Sequence, residues 1–70
     1  MDDKILKQSI DRLDIRDKTL SILKENRINI IADLCKKSKT DLKKLDIVQA
    51  EINKIQIELQ LLGLNIKGGL

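Results

Sequence analysis

Apolar positions along this chain recur at three- and four-residue intervals, the spacing of helices with one covered face. Leu20 and Leu23, with Ile22 beside them, predict a helix beginning near Asp17, capped by Asp14 or Asp17. It should end near Asn26-Arg27, where Asn suits a left-handed exit. A second helix is predicted after Asn29 as N-cap, with Ile30, Ile31, Leu34 and Cys35 inward and Lys36-Lys37 complementing the dipole at its end. Ser38 and Thr40 are cap candidates for a short helix, TDLKKL, anchored by Leu42 and Leu45. Asp46 is expected to cap the longest helix, on which Val48, Ile52, Ile55, Leu59 and Leu62 form one stripe. Gly63 closes it, and Leu64 supplies the apolar contact that accompanies such an ending.

Ahead of these helices, MDDKILKQS is polar with one apolar pair and reads as an N-terminal linker, frayed or a single helical turn. Ile10, Leu13 and Ile15 suit a packed, irregular turn. Residues 10–66 then form one helical domain, and 67–70 a mobile tail. No strand pattern competes. The expected fold is all-α: a compact bundle of four short helices plus an irregular N-terminal turn, helix-hairpin-helix-like.

Composition narrows the chemistry. The chain has 70 residues, near the lower limit for folding without a staple, and its one cysteine, Cys35, permits no internal disulfide. Ile and Leu supply 24 residues, so aliphatic packing must hold the fold. With no histidine, the commonest general base and metal ligand is missing, and Cys35 has no imidazole to activate it. The glycines stand at 63, 68 and 69, where they form no phosphate-cradling loop. An enzyme is not expected, nor a metal or cofactor. No apolar run approaches the ~20 residues of a membrane span, and a lone free thiol fits a cytoplasmic setting.

The net charge of +3 is mild, but its distribution is uneven: five lysines and one acid lie between Lys36 and Lys44. A chain without Phe, Tyr or Trp cannot stack single-stranded bases on aromatic rings. Any nucleic acid it holds should be a duplex, gripped through phosphates and groove-entering side chains.

The order of these elements resembles the C-terminal domain of the bacterial RNA polymerase alpha subunit. IDRLDI, a helix with Leu20 and Leu23, INIIADL, TDLKKL and a long helix closing in LGLNI follow that family's pattern. Leu13, Ile15, Leu23, Ile28, Asp33-Leu34, Asp41-Leu42, Ile55, Leu59 and Gly63-Leu64 match it across about residues 9–66, with one residue missing between Leu42 and Ile52. The resemblance implies an accessory domain tethered to the polymerase body through its parent chain. Such a domain touches A·T-rich promoter DNA in the minor groove, together with transcription regulators and sigma.

In that family the DNA face combines an Arg and an Asn on the first helix with a Gly-Lys-x-Ser-like turn at the start of the last. The corresponding positions here are Lys18 and Ser21, then Val48, Ala50 and Glu51. Lysine cannot fork as arginine does, and an acid at a helix start repels phosphate. The expectation is a weakened DNA face of Arg16, Lys18, Ser21, Ala50, Glu51 and Lys54. Three phosphate contacts from its cations would give a salt slope of about −3. The implied regulator surface is Ser38, Lys39, Thr40 and Asp41, with Arg12 and Asp14 on the edge toward sigma.

The alternative is a helical protein–protein module of the same fold without DNA binding. A helix-hairpin-helix repair module ranks third, because the glycine hairpin is missing. Ile57 and Leu61 lie four apart, off the main stripe. The expectation is that Ile5-Leu6 folds back over them; left exposed, they would suit a regulator or a second copy.

Overall fold

The computed structural model describes residues 3–68, and these form five α-helices and one 3-10 turn. The helices are α1 (Asp3–Leu6), α2 (Asp17–Glu25), α3 (Ile31–Cys35), α4 (Lys39–Lys44) and α5 (Gln49–Leu61). The irregular turn expected from Ile10 is the 3-10 element Ile10–Arg12, capped by the Ser9 hydroxyl. Met1-Asp2 of the expected linker and Gly69-Leu70 of the expected tail lie outside the described residues. No described helix is long and apolar enough to cross a membrane.

The described part of the N-terminal segment is joined to the domain. Ile5 and Leu6 pack on the core, and α1 lies against α3. Ser9 pairs with Ile30 in an isolated bridge: Ile31 N–H donates to the Gln8 carbonyl at 2.9 Å, and Ile10 N–H to the Asn29 carbonyl at 3.1 Å. At the other end Ile66 is buried, and Lys67 N–H donates to the Lys37 carbonyl at 2.9 Å. The two ends of the described chain therefore brace α3 and the loop after it.

Isoleucine and leucine make up the whole buried apolar core, from Ile10 and Leu13 through Leu23, Ile31, Leu34 and Leu42 to Ile52, Ile55 and Leu59. The stripe on α5 begins one turn later than the spacing suggests. Val48 is 60% exposed, Leu62 only half-buried, and Ile47 is buried in Val48's place. The turn before α5 explains the shift. Asp46 adopts a left-handed φ of 65° and donates its N–H to the Lys43 carbonyl, so it ends α4 instead of capping α5. Val48 then takes the N-cap position with extended backbone, and its side chain points out.

Two other helix starts differ from expectation. The cap of α3 is Ile30, not Asn29; the Asp33 carboxylate accepts from the N–H groups of both Asn29 and Ile30. The cap of α2 is Arg16, without a capping side chain of its own, so neither Asp14 nor Asp17 fills that role. In α4, by contrast, Ser38 and Asp41 form the full reciprocal capping box.

Helices α2 and α5 end in the same way, with paired bonds back into the last turn. Leu64 N–H reaches the Leu59 carbonyl at 2.8 Å and Gly63 N–H the Gln60 carbonyl at 2.9 Å. Ile28 N–H and Arg27 N–H repeat the pattern to Leu23 and Lys24. The left-handed residue is glycine in one case and Arg27, at φ 63°, in the other. Asn26 is only the C-cap. A side chain at such a φ costs about 1–2 kcal/mol, part of which is offset by glycine's extra freedom in the unfolded chain. Arg27→Gly should therefore raise stability by about 0.5–1 kcal/mol, read as a higher thermal midpoint; an unchanged or lower midpoint would contradict the strain.

Candidate nucleic-acid interface

The N-terminal ends of α2 and α5 meet, and Glu51 joins them. One oxygen of its carboxylate accepts from the Thr19 hydroxyl at 2.8 Å and from Arg16 N–H at 3.3 Å. The other lies 3.9 Å from Arg16 Nε. Thr19 is buried, and the Glu51 side chain is only 13% exposed. This carboxylate sits in the first turn of its own helix and also holds the N-cap residue and a first-turn side chain of the neighbouring one, where both helix dipoles favour an anion. Glu51 is therefore turned inward, and its charge is compensated by α2. The carboxylate thus has a structural role at the junction, and it also lines the two openings beside it.

Seven residues on, the Glu58 carboxylate accepts from Asp14 N–H at 2.9 Å, and between the two Lys54 Nζ lies 3.8 Å from Asp14. Glu51, Lys54 and Glu58 thus form a polar row at 3-4 spacing that fastens the segment before α2 to α5. The importance of Glu58 and Thr19 escapes sequence reasoning. The row's spacing is visible in the sequence, but its partners lie more than thirty residues away.

A cleft of about 80 Å³ opens beside this junction, with Arg16, Lys18 and Thr19 on the α2 side and Ile47, Val48 and Glu51 on the other. An adjoining hollow shares Arg16 and Glu51 and adds Lys54. The structure therefore brings Arg16, Lys18, Glu51 and Lys54 together. Ser21 and Ala50 are exposed nearby in sequence but line neither opening. Lys18 stands exposed and takes part in none of the ion pairs among the described residues, whereas Arg16 and Lys54 are drawn toward carboxylates.

The regulator positions are divided. Ser38 and Asp41 are engaged with each other, and Asp41's carboxyl is held below the usual range chiefly by the Ser38 N–H. Lys39 and Thr40 are exposed beside them. Arg12 is exposed and its guanidinium donates to the Gln8 side chain, while exposed Asp14 faces Lys54. Cys35 is half-buried against the core, and burial pushes its thiol pKa up, away from the reactive thiolate.

Ile57 and Leu61 are 52% and 76% exposed. Ile5 and Leu6 do not cover them, because α1 packs on α3. Compared with known proteins, the chain matches no family model and no curated sequence.

Proposed function

We propose that this chain is an accessory domain of bacterial RNA polymerase of the alpha C-terminal type, touching upstream promoter DNA weakly and receiving transcription regulators. The observation that carries this reading is the meeting of the α2 start with the α4–α5 turn around one cleft, with Lys18 on its rim. Those two elements hold the DNA-facing positions of the family that the sequence resembles. The all-helical order, with a short capped α4 leading into a long α5, supports the same fold. Glu51 is held by Thr19 and Arg16 at this edge, where Asp46 also lines the cleft, and Lys18 is the cation there that makes no ion pair among the described residues.

The test is transcription from a promoter with an A·T-rich upstream duplex. The polymerase carries this domain on a flexible linker in place of its own. Initiation should rise over the polymerase without any such domain, and Lys18→Gln should reduce the gain. Equal initiation with and without the domain would contradict the role.

A second reading, a protein-docking module of the same fold without DNA contact, is favoured by the exposed Ile57 and Leu61 and by Val48 standing where the family has glycine. An exposed isopropyl group there keeps a phosphate from the backbone N–H groups at the α5 start.

A further inference from the structure

We infer that the lysine-rich face between the end of α2 and α4 is a second, sequence-independent binding surface for the phosphate backbone of duplex nucleic acid, separate from the Lys18 edge. Folding assembles it from three parts of the chain. Asn26, Ile28, Lys37, Asp41, Lys44 and Leu45 line a cleft of about 220 Å³. Exposed Arg27 lies between two of these lining residues in sequence, and the backbone N–H bond from exposed Lys67 to the Lys37 carbonyl sets the backbone of that residue beside Lys37. Lys36 and Lys43 adjoin the lining lysines in sequence. The lysine run is thus extended by cations from α2's exit and from the C-terminal segment, which sequence order alone does not place together.

These cations are not spent on internal pairing. Among the described residues the ion pairs are Arg16–Glu51, Lys24–Asp11 and Lys54–Asp14, and none draws on this face. The acid lining the cleft, Asp41, is committed to capping α4. Lys37 and Lys44 lie close enough to act on it, yet one carboxylate cannot neutralise the group.

Charge alone would suit an acidic protein as well as a phosphate backbone; the apolar surface decides between them. Protein interfaces are centred on desolvated apolar or aromatic anchors, whereas phosphates are held by cations without them. Here the apolar lining is Ile28, which is buried, and half-buried Leu45. The exposed large aliphatics, Val48, Ile57 and Leu61, all belong to α5 and its cap. Lysines act on phosphate as point charges and read no base, so the surface should not distinguish sequences. This assignment does not depend on the polymerase reading.

The test is fluorescence anisotropy of a labelled duplex titrated with the full chain between 50 and 200 mM salt. Wild type is compared with Lys37→Gln/Lys44→Gln/Lys67→Gln and with Lys18→Gln/Lys54→Gln. Circular dichroism melts confirm that each variant stays folded. Four phosphate contacts, from Arg27, Lys37, Lys44 and Lys67, give a slope of log affinity against log salt of about −4, and the triple variant should flatten it by about 3. It should also lose at least tenfold in affinity at 50 mM salt, equally on A·T-rich and G·C-rich duplexes, while the double variant's loss should be smaller and confined to the A·T-rich duplex. A folded triple variant that binds like wild type overturns the inference. If the double variant alone loses binding, the Lys18 edge is the DNA contact and the lysine face is not. Poly-glutamate of matched charge binding more tightly than the duplex would assign the face to acidic proteins and overturn it too.

Discussion

Leu59→Ala is expected to cost about 2–5 kcal/mol, because it deletes a fully buried side chain of the α5 stripe and leaves a cavity there. A domain of this size has roughly 4–10 kcal/mol of stability in all. The substitution should therefore lower the urea midpoint by a large fraction and leave a measurable unfolded population in buffer. Leu61→Ala provides the internal control. It removes the same side chain two positions along the same helix, from a place that is 76% exposed. Its cost should stay within about 0.5 kcal/mol. Equal losses from the two substitutions would mean that Leu61 is covered in solution by something the folded chain alone does not supply.

The second large effect belongs to Glu51. Replacing it with alanine strips the Thr19 hydroxyl and Arg16 N–H of their acceptor, and Thr19 is buried. A buried donor left unsatisfied costs about 1–3 kcal/mol. Glu51→Ala should therefore destabilise by about 2 kcal/mol and speed amide exchange in the first turn of α2. Glu51→Gln keeps an oxygen acceptor but loses the charge, and should fall between the two. A different outcome follows if the carboxylate merely sits on the surface facing DNA. The alanine variant would then melt like wild type and bind duplex more tightly, and the junction of the two helix starts would be lost as a structural feature.

Helices α2 to α5 are legible in the sequence because their determinants are local. Ser38-x-x-Asp41 caps α4, Gly63-Leu64 closes α5, and the Ile52-Ile55-Leu59 spacing marks the buried face. Long-range geometry is not legible. Val48 continues the 4-3-4-3 spacing perfectly well, yet the left-handed turn at Asp46 starts α5 too late to bury it and puts Ile47 inside. Ile57 and Leu61 have a spacing that suits coverage, but whether a neighbouring element reaches them depends on where α1 packs.

The candidate site divides along the same line. Lys18 stands out at a position that the resemblance points to, with Arg16 beside it and Lys54 one turn beyond Glu51, and the structure gathers these cations around adjoining openings. The direction in which Glu51 points, which decides whether that edge repels or tolerates phosphate, comes from a partner 32 residues away in sequence. Lys67 joins the lysine face through a bond of similar reach to Lys37. Charge composition gives the number of cations; only the fold says which of them share a surface.

The most direct measurement is a backbone amide NMR titration of the full chain with an A·T-rich duplex, with a G·C-rich duplex as control and each repeated at raised salt. The proposed role predicts shifts at Arg16–Leu23 and Ala50–Lys54 that are stronger for the A·T-rich duplex. The lysine face inferred separately predicts its own set around Lys37 and Lys44 that ignores sequence and fades with salt. A titration that moves neither Lys18 nor Lys54 would contradict the promoter-DNA role and leave the exposed α5 residues as the guide to a protein partner.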